Sequence, residues 1–195
     1  MTDERVKFLR GRIRDVPDFP KEGILFKDIT PLLADVEAFR TCIQLMAEKL
    51  DGESVSSVIG IESRGFMFGA ALADKLGVGF IPVRKPGKLP AATYRAEYDL
   101  EYGSDAVEIH QDALAPGDRV VVVDDLIATG GTAKATKDLV HQCGAQVAAF
   151  VFVINLLALE GTKKLTPGTN HRQRRPGRRG PSLSSVLVLC SQLVG

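Results

Sequence analysis

The chain has 195 residues, which is enough for one domain with a substantial core and short for two. Its apolar fraction of 45% and charged fraction of 25% are ordinary for a globular protein, and a net charge of +1 gives no general attraction to nucleic acid or membranes. We see no secretory signal, and the longest apolar stretch, residues 147–159, is too short to cross a bilayer. Three widely spaced cysteines fit neither a disulfide framework nor a metal site, so we expect reduced thiols in a cytoplasmic protein.

Apolar periodicity predicts helices over residues 4–13 and 36–50, with Asp35 placed to cap the second. Further along the chain, apolar and β-branched runs predict strands over residues 55–61, 78–83, 119–123 and 147–154. Helices are predicted over residues 66–76 and 131–143, whereas residues 84–104 read as a long surface excursion without clear periodicity. This alternation predicts one α/β domain over residues 1–167, with a mostly parallel central sheet flanked by helices.

The most informative run is Val-Val-Val-Val-Asp-Asp-Leu-Ile-Ala-Thr-Gly-Gly-Thr, residues 120–132. The valines predict a buried strand, and open α/β sheets bind ligands where such strands end. We expect the strand to end at Asp124, so that Asp124 and Asp125 both turn toward one ligand. Two glycines and a helix start then offer main-chain N–H groups to an anion. An Asp-rich turn and a helix cap would explain a shorter run, but the complete run predicts a phosphate cradle beside a sugar.

This run closely resembles the signature of the type I phosphoribosyltransferases, which bind 5-phosphoribosyl 1-pyrophosphate (the ribosyl donor). The resemblance implies their fold, with a small N-terminal hood and a mobile lid. It assigns Asp124 and Asp125 to the ribose hydroxyls. The residues that it assigns to the 5′-phosphate are Ala128, Thr129, Gly130, Gly131 and Thr132.

Residues 17–31 resemble the hood of the adenine-specific branch of this family. There, main-chain groups around Leu25 and Lys27 read the adenine edge, Phe26 stacks on the ring, and Leu156 closes the other side. A complementary edge rejects 6-oxopurines because their mismatched polar groups would be buried unpaired. Taken without the resemblance, Phe26 and Leu156 read as core residues.

Two basic segments resemble the family's pyrophosphate site, through Ser63, Arg64, Lys85 and Lys88. The planar guanidinium of Arg64 suits phosphate oxygens, whereas the lysines alone would read as a solvated face. In the excursion, Glu101 and Tyr102 resemble lid residues. The resemblance therefore implies Glu101, Tyr102 and Arg64 as catalytic residues, with Glu101 as acid/base. It also implies Mg²⁺ held mainly by substrate oxygens and water, with no direct protein ligand.

The resemblance implies transfer of the phosphoribosyl group to adenine, giving AMP and pyrophosphate in purine salvage, by a homodimer that binds neither membranes nor nucleic acid. Residues 168–195 do not follow the family: they carry five arginines and no acid, then turn apolar. We expect this tail to be poorly ordered, and its abrupt character also fits a shifted reading frame. The alternatives are transfer to another base, such as xanthine or orotate, a non-catalytic regulator that senses the ribosyl donor, and an enzyme inactivated by its tail.

Overall fold

The computed structural model describes residues 4–99, 103–165 and 185–192. Within these ranges the helices are α1 (Glu4–Arg10), α2 (Thr30–Ala34), α3 (Val36–Lys49), α4 (Gly65–Leu76) and α5 (Gly131–Gln142). The strands are β1 (Arg14–Val16), β2 (Phe26–Asp28), β3 (Ser57–Ile61), β4 (Gly79–Val83), β5 (Thr93–Asp99), β6 (Ser104–His110), β7 (Arg119–Ile127), β8 (Gln146–Leu156) and β9 (Ser185–Gln192). Short 3₁₀ turns at Leu157–Leu159 and Gly161–Lys164 follow β8.

The central sheet has the order β4-β3-β7-β8-β9, and every neighbouring pair is parallel. Helices and a hairpin cover its two faces, so the four valines at the start of β7 have no exposed surface. Because the strands are parallel, the carboxyl ends of β3, β7 and β8 meet at one edge. The turns that follow these strands are therefore neighbours.

The two faces of the sheet are covered differently. One apolar cluster packs α1, α2, α3 and α4 against the sheet, with Phe68 and Leu72 of α4 fully buried. The other packs α5 and β6 against the opposite face, around Leu139, Val140 and the stacked pair Phe150 and Phe152. Among the described residues, the α-helix that packs on this second face is α5, which begins at the predicted phosphate cradle.

Two small antiparallel sheets lie outside the central one. Strands β1 and β2 pair from Arg14 with Asp28 to Val16 with Phe26, and form the base of the predicted hood. Strands β5 and β6 form a hairpin that pairs from Thr93 with His110 to Asp99 with Ser104. In the sequence, the predicted lid residues Glu101 and Tyr102 fall between these two strands.

The predicted α/β class with a parallel sheet is confirmed. The Asp35 cap is confirmed as well: its Oδ1 accepts hydrogen bonds from the main-chain N–H groups of Glu37 and Ala38, at 3.0 and 3.1 Å. Helix α4 ends at Gly77, whose φ of 70° lies in the left-handed region that glycine tolerates best.

The interpretation of residues 84–104 as an excursion without periodicity is wrong for the part that forms β5. Tyr94, Ala96 and Tyr98 are half-buried, whereas Arg95 and Glu97 between them are exposed. This is the two-residue period of a strand with one covered face. The covered face packs on the second apolar cluster.

The expectation of a poorly ordered tail is wrong for Ser185–Gln192, which form β9. The apolar run there covers the edge of β8 that would otherwise be open, and the pairing extends from Ala149 with Ser185 to Leu156 with Gln192. A guanidinium N–H of Arg10 also donates to the carbonyl of Ser191, at 2.8 Å. The other tail residues lie outside the described ranges, and so the domain boundary at residue 167 stays a prediction.

Candidate active site

The turn between β7 and α5, residues 128–132, is here called the phosphate loop. Gly130 has a φ of 76°, and a Cβ atom at this position would overlap the carbonyl oxygen of Gly161. Likewise, a Cβ at Gly161 would overlap the carbonyl oxygen of Ala128 and lie 2.7 Å from the main-chain nitrogen of Gly130. Two glycines in direct main-chain contact therefore fix the shape of the loop.

A pocket of about 160 Å³ lies against this loop. It is lined by Asp124, Leu126, Ile127, Ala128, Thr129, Gly130, Gly131, Thr132, Ala133 and Phe152. The N-cap residue of α5 is Gly130, which has no side chain to cap the helix and so leaves the N–H groups of the first turn to an anion. The structure thus brings Asp124 and all five residues predicted to bind the 5′-phosphate to one pocket.

The prediction that the strand ends at Asp124 is wrong, because β7 continues to Ile127 and Asp124 still pairs with Phe152 of β8. Side chains of consecutive strand residues point to opposite faces. Asp124 accordingly borders the pocket, whereas Asp125 is buried, with 3% of its surface exposed, and meets Arg64. The two acids therefore do not turn together toward one ligand in this structure.

Burial and the charge of Asp125 raise the pKa of Asp124 well above its usual range. Burial also raises the pKa of Asp125, against the opposing effect of the Arg64 guanidinium. Hydroxyl donors from a sugar would stabilise the charged form of Asp124, and so the site favours a ligand that brings such donors.

Arg64 occupies the turn between β3 and α4, residues 62–64, here called the Ser-Arg turn. Its Nε lies 3.0 Å from Oδ2 of Asp125, but the contact lacks hydrogen-bond alignment, and that oxygen has no hydrogen-bond donor among the described residues. The guanidinium lies over the ring of Phe26, 5.2 Å from its centroid. Arg64 thus joins a predicted ribose residue to a predicted adenine residue, while Ser63 beside it is exposed.

Gly65 allows this turn to approach β7. A Cβ there would lie 2.7 Å from the carbonyl oxygen of Val123 and 3.0 Å from Oδ1 of Asp124. A side chain at this position would push the Ser-Arg turn away from Asp124. Close packing of main chains therefore places the two predicted anion sites side by side.

The basic turn, residues 84–88, follows β4. The ammonium of Lys85 donates to the hydroxyl of Tyr98 at 2.7 Å and forms an ion pair with Asp105. Lys88 forms an ion pair with Glu62, 2.6 Å between Nζ and Oε1. All three cations predicted to bind pyrophosphate, Arg64 included, are consequently paired with carboxylates.

In the hood, the Lys27 side chain is 4% exposed and its Nζ lies 2.7 Å from Oδ1 of Asp15, its partner across β1 and β2. The Lys27 side chain is thus engaged by Asp15, and the main-chain groups of Lys27 are the ones left for the predicted contact with adenine. Phe26 also meets the edge of Phe19, with ring centroids 5.1 Å apart. Leu25 is half-buried just before β2.

Leu156 ends β8, half-buried against the first apolar cluster. The catalytic candidates Glu101 and Tyr102 lie outside the described residues. The Tyr98 side chain, near the end of β5, reaches the first residue of α5, since a Cβ at Gly131 would lie 3.2 Å from its ring. The end of the hairpin nearest its connecting turn therefore lies against the phosphate loop.

Sequence reasoning missed the acids that hold these cations, Glu62 and Asp105, and the hydroxyl of Tyr98. Glu62 directly precedes Ser63 and Arg64, and an acid between two cationic segments was a signal that could have been read. Asp105 and Tyr98 could not be linked to Lys85 without the register of the hairpin, which pairs them.

Comparison with known proteins agrees with this geometry. Residues 29–166 match the family model described as a phosphoribosyl transferase domain. An adenine phosphoribosyltransferase of Carboxydothermus hydrogenoformans is 61% identical over 158 residues, which are 81% of this chain and 93% of that protein. A crystal structure of adenine phosphoribosyltransferase from Thermoanaerobacter pseudethanolicus superposes with a TM-score of 0.85 at 46% identity, covering 96% of this chain and 99% of that one.

The yeast enzyme, solved in complex with adenine and an imino-altritol bisphosphate, gives a TM-score of 0.83 at 38% identity, with 96% of this chain and 99% of that chain covered. The fold, the phosphate loop and the family match define a phosphoribosyltransferase. The chain belongs to the phosphoribosyltransferase family and, within it, to the adenine phosphoribosyltransferases.

Proposed function

We propose that this chain transfers the 5-phosphoribosyl group from 5-phosphoribosyl 1-pyrophosphate to adenine, forming AMP and pyrophosphate. The observation that carries the proposal is the phosphate loop, whose glycine-defined main chain and helix start share one pocket with Asp124. A phosphate on the loop and a ribose hydroxyl on Asp124 together describe a ribose 5-phosphate. The resemblance to adenine-specific relatives then selects the base.

In the proposed reaction the bond from ribose C1 to pyrophosphate breaks, and a bond from C1 to adenine N9 forms. The 5′-phosphate stays on the N–H groups of the phosphate loop, which holds C1 in place. Arg64, Lys85 and Lys88 offset the charge of the pyrophosphate group, with Ser63 as a further donor. The proton of N9 leaves to Glu101, and Tyr102 closes over the pyrophosphate.

For the base, we propose that main-chain groups of Leu25 and Lys27 read the adenine edge while Phe26 and Leu156 enclose the ring. The Lys27 side chain is fixed on Asp15, which supports a rigid strand at this position. The Arg64 guanidinium over Phe26 supports a base placed next to the ribose.

The side chains around the pocket fit a Mg²⁺ ion that enters together with the ribosyl donor. Among the described residues, no three acidic, histidine or cysteine side chains gather to enclose a metal, whereas Asp124 places a carboxylate at the border of the pocket. Mg²⁺ keeps waters and substrate oxygens as ligands. When bound, it would offset the charge of pyrophosphate.

We further propose, on the basis of the resemblance, that the chain acts as a homodimer in the cytoplasm. Analytical sedimentation at the enzyme's working concentration would measure its oligomeric state. All three cysteines are buried and unbridged, which supports a reducing compartment. In the described part of the chain, no helix is both long enough and apolar enough to cross a membrane.

The test is product analysis with ribosyl donor, Mg²⁺ and a panel of adenine, hypoxanthine, xanthine and orotate. We expect AMP as the single nucleotide product. Changing Glu101 to Leu should lower turnover by about 10²- to 10⁴-fold and leave donor affinity nearly unchanged. Glu97→Leu, which removes an exposed acid of β5 paired with Arg95, is the matched control. Absence of any nucleotide product would favour either the non-catalytic regulator or an enzyme inactivated by its tail. Normal turnover of the Glu101 variant would remove Glu101 from the mechanism.

A further inference from the structure

Glu62 joins the Ser-Arg turn to the basic turn through one carboxylate. Its Oε2 accepts hydrogen bonds from Nε of Arg84 at 3.2 Å and from the main-chain N–H of Lys85 at 2.9 Å. Its Oε1 accepts from Nζ of Lys88 at 2.6 Å. Only 10% of the Glu62 side chain is exposed, so its carboxylate is held by these three donors with little access to solvent.

This carboxylate is charged at neutral pH. Burial acts to raise the pKa of Glu62, but the hydrogen bonds from Lys88, the Lys85 N–H and Arg84 outweigh it and lower the pKa to about 2. A permanent negative charge therefore lies inside a cluster of cations that we propose for binding an anion. Its presence requires a reason, because an acid near pyrophosphate repels it.

The contacts favour a framework role over competition with the anion. Two of the three donors, Arg84 and the Lys85 N–H, belong to a part of the basic turn that is also anchored to β6. The main-chain N–H of Arg84 donates to the carbonyl of Glu108 at 2.9 Å, and the carbonyl of Arg84 accepts from the N–H of Glu108 at 2.8 Å. The Gly87 N–H donates to the Glu108 side chain at 3.1 Å. Glu62 and Glu108 thus hold the basic turn from two sides.

Lys88 retains the capacity to bind an anion while it contacts Glu62. An ammonium has three hydrogens, and the Lys88 side chain is 49% exposed. One hydrogen on Glu62 fixes the direction of the side chain, and the others remain for a ligand. Fixing a long side chain before binding reduces the conformational entropy lost on binding.

We propose that Glu62 is a positioning residue for the ribosyl donor, acting through Lys88 and the basic turn to hold the pyrophosphate cations in place before the donor binds. The inference rests on the proposed function. It adds to that function a residue that contacts neither substrate but sets the affinity for the ribosyl donor. Adenine affinity should be independent of Glu62, because none of the three donors that hold its carboxylate belongs to the hood.

The test is steady-state kinetics of Glu62→Gln, which keeps the shape and one acceptor oxygen but removes the charge. We expect the KM for the ribosyl donor to rise about tenfold, with the KM for adenine changed less than twofold. Glu53→Gln is the matched control: Glu53 pairs with Arg119 at 2.8 Å, at the opposite end of the same sheet. It should leave both KM values unchanged.

A double-mutant cycle separates positioning from general stability. In a Lys88→Met background, Glu62→Gln should raise the donor KM far less than it does alone, because the partner is already absent. Should Glu62→Gln fail to fold, Glu62→Asp keeps the charge one methylene farther away and should give a smaller rise in donor KM. An unchanged donor KM, a lowered one, or a parallel rise for adenine would each overturn the inference. A wild-type chain that forms no AMP would instead refute the proposed function.

Discussion

The phosphate loop and the pair of cationic turns lie at the same edge of the sheet, but they are built differently. The loop is shaped by main chain against main chain, at Gly130 and Gly161, with no charged side chain among its own residues. The Ser-Arg turn and the basic turn present long cationic side chains, each paired with an acid. One region is defined by steric fit and the other by ion pairs.

This difference matches what the proposed reaction asks of each region. The 5′-phosphate stays bound from substrate to product, and a rigid cradle of N–H groups suits a ligand whose position must not change. Pyrophosphate departs, and the acids paired with the cationic side chains of the two turns balance their charge after it has left. We infer that the loop controls geometry, while the cationic turns control affinity for the leaving group.

The largest effect should follow from filling the loop. Gly130→Ala places a Cβ onto the carbonyl oxygen of Gly161, and main chain cannot yield as a side chain can. A displacement of about 1 Å at a reacting centre can cost roughly 10²-fold, and we expect a loss of kcat of at least that size. Initial rates of AMP formation measure it.

Gly117→Ala is the control for backbone strain alone. Gly117 has a φ of 90°, with nothing within 4 Å of a Cβ built there. It should cost about 1–2 kcal/mol of stability, and kinetics should remain normal. Equal kinetic losses in the two variants would contradict a geometric role for the loop.

A smaller effect is expected from the cationic turns. Arg64→Lys keeps the charge but loses the planar fork that meets Asp125 and lies over Phe26. We expect the donor KM to rise about tenfold, with kcat reduced less than in Gly130→Ala. Arg119→Lys, at the amino end of β7 and paired with Glu53, should leave both constants unchanged.

If Arg64→Lys instead lowered kcat as strongly as Gly130→Ala, with the donor KM unchanged, the division between geometry and affinity would be wrong. Arg64 would then act in the transition state rather than on donor binding.

The same contrast explains how far sequence reasoning reached. The phosphate loop is contiguous, so its valine strand, glycines and helix start could be read from residues 120–132 alone. The parallel sheet also followed from alternating strands and helices, and the Asp35 cap from one residue before a periodic run. Each of these signals is carried by a short stretch of sequence, so it can be recognised before the long-range pairing of the strands is known.

The ion pairs could not be predicted because their partners are distant in sequence. Glu62 and Lys88 are 26 residues apart, and Lys85 and Asp105 are 20 apart; only the strand order brings each pair together. The predicted end of β7 was wrong for a related reason. Two acids after four valines suggested a strand end, but pairing with β8 carries the strand through both of them. In the tail, the apolar run was noted, yet the open edge of β8 that it covers was visible only in the fold.

The smallest effect on activity is expected from Leu189→Ala, although its effect on stability should be considerable. Leu189 is 5% exposed in the first apolar cluster, on a strand that adds no residue to either anion region. Truncating a buried leucine costs about 2–5 kcal/mol in cores, and we expect a value near the lower limit because β9 lies at the end of the sheet. Thermal unfolding should show a midpoint lowered by roughly 4–8 °C, since 1 kcal/mol shifts a domain of this size by about 2–4 °C.

Leu187→Ala on the same strand is the graded control, because Leu187 is half-buried against the same cluster and should cost less. Both variants should keep wild-type KM values for donor and adenine at 25 °C, because the glycine contacts of the loop and the ion pairs of the turns involve β3, β4, β6, β7, β8 and the segments that follow them, but no residue of β9. A donor KM that rose in step with the fall in stability would mean that the edge of the sheet, rather than these local contacts, sets the geometry of the site. An unfolding midpoint unchanged in Leu189→Ala would remove β9 from the core.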